Sequence, residues 1–150
     1  MSELRDLYQE VIFDHYKKPH NFGALPEANC VAHGHNRLCG DQLTVYLMVE
    51  DEVIREARFE GQGCAISTAS ASLMTDALRG MRIEDAGHLF ERFHDLVTHD
   101  HPESDGEDPE LGKLEALSGV REFPARVKCA TLPWHTFQAA LKDGGNVSTE

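Results

Sequence analysis

Residues 42–60 read QLTVYLMVEDEVIREARFE, two runs rich in β-branched, aromatic and aliphatic residues on either side of an acidic pair. Such runs favour a pleated, half-buried surface, so 42–50 and 53–60 are expected strands joined in a hairpin at Asp51 and Glu52. In the second run Val53, Arg55, Ala57 and Phe59 alternate onto one face. Residues 30–36 offer a short third strand, and a three-stranded antiparallel sheet is the simplest assembly.

Outward from the hairpin the period changes. The stretch GQGCAIS breaks the strand at Gly61 and Gly63. Beyond it Ile66, Leu73, Met74 and Leu78 fall at helical spacing up to about Gly80, among small Ala and Ser residues that suit close packing. Residues 83–97 carry Ile83, Leu89, Phe90, Phe93, Leu96 and Val97 in the pattern of another helix. At the front, Leu4, Leu7, Val11, Ile12 and Tyr16 predict an amphipathic helix over 3–17, closed by Pro19, Asn21 and Gly23. LGKLEALSGVREFP offers a short helix before Pro124. Residues 126–142 resume helical character and end at Gly144 and Gly145. Pro133 is awkward inside a helix and is expected in the first turn of the last one, with Cys129 at or just before its start. The acidic segment THDHPESDGEDPE reads as a surface excursion. The overall expectation is an α/β (α+β) fold in one domain over 1–150.

Composition narrows the function classes. The 150 residues are 41% hydrophobic and 27% charged, as in globular proteins. Fourteen Lys and Arg against 26 Asp and Glu give a net charge of -12, which repels phosphate backbones and argues against nucleic acid as a partner. The opening MSELRDLYQE has no signal-peptide pattern and no apolar run is long enough to span a bilayer, so a cytoplasmic location away from membranes is expected. No C-x-x-C, G-x-G-x-x-G, Walker A or H-E-x-x-H motif occurs.

The cysteines Cys30, Cys39, Cys64 and Cys129 are too scattered to argue for disulfides, which leaves packing residues, metal ligands or reactive thiols. Cys39, Cys64 and Cys129 fall at expected element boundaries, where helix N-termini stabilise thiolates and neighbouring glycines permit tight turns. With Asp41 they make a possible set of three sulfurs and one oxygen. That set suits tetrahedral zinc and equally an iron-sulfur cluster, and ligand types alone do not choose. Arg126 and Lys128 are candidates to offset its negative charge. Cys30 reads as structural, His99 and His101 as loop residues, His33 and His35 as weak ligand candidates, and Trp134 and Phe137 as packing residues. His135 reads as a core-facing or surface polar residue.

Four blocks carry a resemblance to the IscU/NifU N-terminal family of iron-sulfur cluster assembly proteins: VIFDHYKKPHNFG at 11–23, CGDQL at 39–43, GQGCAISTASASLMTD at 61–76 and RVKCATLPW at 126–134. The resemblance implies a small antiparallel sheet packed against helices. It also implies Cys39, Asp41, Cys64 and Cys129 as metal ligands at one exposed end. Scaffold-type members have a histidine immediately before the third cysteine, whereas this chain has Lys128. Together with the long segment containing HDHPESDGEDPE, within about 81–123, this resembles the SufU branch. The resemblance therefore implies zinc, Cys39 as persulfide acceptor, a pyridoxal-phosphate cysteine desulfurase of SufS type as partner, and Suf-type cluster assembly machinery downstream. The alternative it allows is a scaffold assembling a transient [2Fe-2S] cluster, or binding iron, on the same cysteines.

Overall fold

A computed structural model describes residues 2–36, 40–98, 112–142 and 145–148. Helix α1 (Ser2–Lys17) leads through a loop to β1 (Cys30–Asn36), β2 (Asp41–Glu50) and β3 (Val53–Gln62). Helices α2 (Ala65–Leu78) and α3 (Ile83–Thr98), a 3-10 segment (Gly112–Glu122), α4 (Pro124–Lys142) and a short β4 (Gly145–Ser148) follow.

The three expected antiparallel strands are present, and a fourth is added, giving the order β3-β2-β1-β4. β4 pairs in parallel with β1, from Ala32 opposite Gly145 to His35 opposite Ser148. The chain beyond α4 therefore returns to the sheet, where sequence periodicity placed only a helix end. Asp51 and Glu52 form the hairpin turn with φ of 54° and 62°, the left-handed pair that matches the twist of the flanking strands.

The alternation expected for β3 is interrupted. Val45 pairs with Phe59 and Leu47 with Ala57, but the register shifts between Met48 and Val49, so Val49 meets Ile54. Arg55 is the extra residue of this bulge and points to solvent, while Ile54 replaces it on the core side with Ala57 and Phe59. Nor does β3 stop at Gly61. It continues through Gln62 with Gly61 paired to Leu43 at φ 144°, where a Cβ would stand 2.2 Å from the Gln42 carbonyl oxygen. Only glycine lets the strand pass there.

The buried face of β2 carries Asp41, Leu43, Val45 and Leu47. α4 packs over that face and over β1 while α2 packs on β3, with Trp134, Phe93 and Phe137 the largest fully buried side chains among the described residues. Phe93 stacks on Trp134 at 4.6 Å, joining α3 to α4, so the packing reading of Trp134 and Phe137 holds. His135 is half-buried with the Phe90 ring edge-on at 5.4 Å. α4 is continuous from Pro124, so Cys129 lies in its second turn and Pro133 in its interior, contrary to the expectation of Pro133 in the first turn with Cys129 at or just before the helix start. Proline has no N–H for the carbonyl four residues earlier, that of Cys129, and burial of the surrounding side chains outweighs the lost bond. The acidic stretch 99–110 lies outside the described residues. Among the described residues no helix is long and apolar enough to cross a membrane.

Candidate metal centre

Alternation along β2 puts Asp41 in line with Leu43 and Val45 but at the end of the strand, so its carboxylate emerges where the core face meets the start of α2 and the second turn of α4. The residue is 1% exposed. Its Oδ1 accepts the backbone N–H of Cys64 at 2.8 Å, and the Cys64 thiol faces Oδ2 at 3.8 Å. Gly63 makes this approach possible: a Cβ there would fall 2.5 Å from Asp41 Oδ1. The glycine is thus part of the carboxylate's cradle.

Cys64 is the N-cap of α2. Its backbone is extended (φ -73°, ψ 168°) and its Sγ accepts the Ser67 N–H at 3.4 Å. A thiolate in this position meets the unpaired N–H groups and the positive end of the helix dipole. Cys129, 3% exposed, faces it from α4. A hydrogen bond from Cys129 is the largest influence on the Cys64 thiol. With the Ser67 and Ile66 N–H groups it pulls the pKa from 9.0 down to about 7, against desolvation and the Asp41 charge, which raise it.

One donor atom each from Asp41, Cys64 and Cys129 lies within 4.8 Å of the others. Two sulfurs and one carboxylate oxygen on three different elements, largely dry and with one thiol already acidified, fit a thiophilic divalent ion such as zinc. Cys39, the fourth expected ligand, lies outside the described residues, as do His99 and His101.

The remaining candidates are more dispersed. Arg126 is exposed and lies over the Phe123 ring at 4.4 Å, and Lys128 is exposed on α4 next to Cys129. His33 bonds Thr44 Oγ1 at 2.8 Å on the outer face of the sheet. With His35, Asn36, Glu60, Phe22 and the Asp41 end of β2 it borders an open groove of about 880 Å³. Cys30 is half-buried against the core, where desolvation raises its pKa.

A small sheet backed by helices, with an aspartate and two cysteines gathered at one end, defines a class of small α+β domain with a candidate metal centre. The chain belongs to the NifU-like N-terminal domain family, which matches residues 7–130. It is 42% identical over 147 residues to the zinc-dependent sulfurtransferase SufU of Bacillus subtilis, covering 97% of each chain. It is 38% identical to the iron-sulfur cluster assembly scaffold protein IscU of Streptococcus pyogenes, over 97% of this chain and 89% of that protein. Among solved structures it is similar to a candidate scaffold protein for the SUF system from Fervidobacterium islandicum, with TM-score 0.76, 32% identity, and coverage of 89% of this chain and 95% of that one.

Proposed function

We propose that this protein is a zinc-dependent sulfur acceptor and carrier. It takes persulfide sulfur from a pyridoxal-phosphate cysteine desulfurase of SufS type and passes it to iron-sulfur cluster assembly. The observation that carries the reading is the convergence of donor atoms from buried Asp41 and Cys129 and half-buried Cys64 within 4.8 Å, in a chain 42% identical to a zinc-dependent sulfurtransferase. Cys39, two residues ahead of Asp41 in sequence, completes the set.

Zinc, when bound, keeps thiolates deprotonated near neutral pH and protects them from oxidation. In the metal-free chain the Cys129 thiol donates to Cys64 and acidifies it; with an ion bound, Cys64 and Cys129 would ligate as thiolates and Asp41 through an oxygen. A carboxylate is a harder, more exchangeable ligand than a fourth thiolate, so Asp41 leaves the set adaptable. The transfer itself is a thiol-disulfide type displacement. The Cys39 thiolate attacks the outer sulfur of the desulfurase persulfide, the S–S bond of the donor breaks, and its electron pair leaves on the desulfurase cysteine. Sulfur moves with no net oxidation, and the acceptor leaves as a cysteine persulfide.

The scaffold reading, a transient [2Fe-2S] cluster on the same residues, is favoured by the 38% identity to a protein named as a scaffold. One experiment separates the two. Protein of measured metal content is incubated with a cysteine desulfurase and labelled cysteine without iron, and persulfide is mapped by mass spectrometry in wild type and Cys39→Ala. Label on Cys39, absent in the variant, supports sulfur acceptance. No label on any cysteine and no stimulation of the desulfurase overturns it, and iron and sulfide retained in equal amounts under anaerobic reconstitution then supports the scaffold.

A further inference from the structure

A second group of metal-ligating side chains lies on the α1–α2 face. His15 is in the last turn of α1, His20 follows in the loop after Pro19, and Asp76 is near the end of α2. One donor atom from each lies within 4.8 Å of the others. Asp76 is twelve residues along the helix from Cys64, about 18 Å at 1.5 Å per residue, so this group and the cysteine centre do not share ligands. We propose that His15, His20 and Asp76 form a second binding site, for a borderline divalent ion such as Zn2+ or Co2+, that clips the end of α1 and its following loop to α2.

The donor set is two imidazoles and one carboxylate, which suits these ions. His20 Nδ1 and Asp76 Oδ2 are already 2.6 Å apart. Ligands about 2.0–2.2 Å from a tetrahedral zinc sit roughly 3.3–3.5 Å from one another. The His20–Asp76 pair would therefore open by less than about 1 Å, and any donor at the 4.8 Å limit would close by roughly 1.5 Å.

The atoms around the three ligands orient them, as outer-shell partners do at metal sites. Ser72 Oγ lies 2.6 Å from His15 Nδ1 and accepts the His20 backbone N–H at 2.8 Å, so one buried hydroxyl fixes both histidines. Asp76 Oδ1 accepts from Asn21 Nδ2 at 2.9 Å, which leaves Oδ2 toward the histidines. Asn21 is itself held, donating to Thr75 Oγ1 at 3.0 Å and accepting from Arg79 at 3.2 Å. Arg79 is engaged by Glu56 at 2.6 Å, and Lys113 is the cation whose charge acts on His15.

Access is compatible with a bound cation. His15 is 4% exposed, its ring held by Ser72 from the α2 side. His20 and Asp76 are 51% and 41% exposed in their side chains, which gives an ion entry and leaves positions for water.

The test titrates Co2+ into metal-free wild type, His20→Ala, Asp76→Ala and Cys64→Ser, reading stoichiometry by equilibrium dialysis and ligand type by visible absorption. Circular dichroism verifies folding, and His20→Gln serves as a variant that keeps a hydrogen-bonding side chain near Asp76. Wild type is expected to bind one equivalent with thiolate-to-cobalt charge transfer and a second with d–d bands alone. The second is lost in folded His20→Ala and Asp76→Ala and retained in Cys64→Ser. A second equivalent that survives both His20→Ala and Asp76→Ala, or a wild type that binds only the thiolate-type equivalent, overturns the proposal.

Discussion

Cys64 engages both oxygens of Asp41: its backbone N–H donates to Oδ1 at 2.8 Å while its thiol faces Oδ2 at 3.8 Å. The strand that carries the carboxylate and the helix cap that carries the sulfur are thus joined before any ion arrives. Asp41→Ala removes the acceptor of a half-buried N–H and is expected to cost about 1–3 kcal/mol. Asp41→Asn keeps an amide oxygen for that N–H and should fold near wild-type stability. Both should lose zinc to a chelator faster than wild type, by more than the roughly 10- to 100-fold that loss of an outer-shell partner causes. Asp41→Cys should retain it more tightly and exchange it more slowly. Chelator-competition rates with urea melts measure both, and wild-type retention in Asp41→Asn would remove Asp41 from the ligand set.

The acidity of Cys64 gives a pH profile with a defined sign. The thiolate is the reactive form, so alkylation of Cys64 in metal-free protein should rise with pH and reach half its plateau at about 7 rather than 9.0. Cys129→Ala removes the donor that contributes most to the lowering, and the midpoint should move up. Cys129→Ser keeps an O–H donor and should restore part of the shift. Asp41→Asn removes a charge that opposes the thiolate, and the midpoint should move down. Peptide-resolved alkylation rates from pH 5 to 10 decide it, and an unchanged midpoint in Cys129→Ala would show that the helix N-terminus alone acidifies the thiol.

Most of the fold was legible because its signals are local. The hairpin declares itself through two β-rich runs, and α2 through Ile66, Leu73, Met74 and Leu78. What escaped has tertiary causes. The bulge at Arg55 depends on how Val49 meets Ile54 across the hairpin. Residues 145–148 form a strand only because the edge of β1 is there to pair with. Pro133 sits inside α4 because packing around Trp134 outweighs one missing hydrogen bond. The cysteine centre was half legible. Asp41 and Cys64 stood at element boundaries, but Cys129 comes from within a helix, where boundary reasoning gave the wrong place for a thiol that still converges. His15, His20 and Asp76 went unnoticed because D-H-Y-K-K-P-H reads as a helix end and nothing in it signals an aspartate far along the chain.

Gly63 is required by space rather than by backbone conformation. A Cβ 2.5 Å from Asp41 Oδ1 must displace the carboxylate, because the alternative is to move the backbone that donates to it. Gly63→Ala should cost about 1–3 kcal/mol, as over-packed sites do, and should also speed zinc loss. Gly87, in α3 with nothing within 4 Å of an added Cβ, provides the contrast. There alanine should stabilise by roughly 0.5–1 kcal/mol without touching metal retention. Thermal melts and chelator competition on the two variants test this, and equal behaviour would mean the cradle is slack.

Ser70 links the core to the centre. Its hydroxyl donates to the Ala130 carbonyl at 2.6 Å and accepts the Trp134 indole N–H at 3.1 Å, so one α2 side chain fixes α4 beside Cys129. That helix already lacks an N–H at Pro133 for the Cys129 carbonyl, so its geometry there leans on Ser70. Ser70→Ala strands a buried indole N–H and should cost about 2 kcal/mol, lowering Tm by roughly 4–8 °C at this chain length. Adding Trp134→Phe removes the stranded donor as well, so the double variant should lose less than the sum of the two single losses. If Ser70 also positions Cys129, the Cys64 alkylation midpoint should move upward in folded Ser70→Ala, since the Cys129 donor would be misplaced. A loss of Tm with an unmoved midpoint would confine Ser70 to packing.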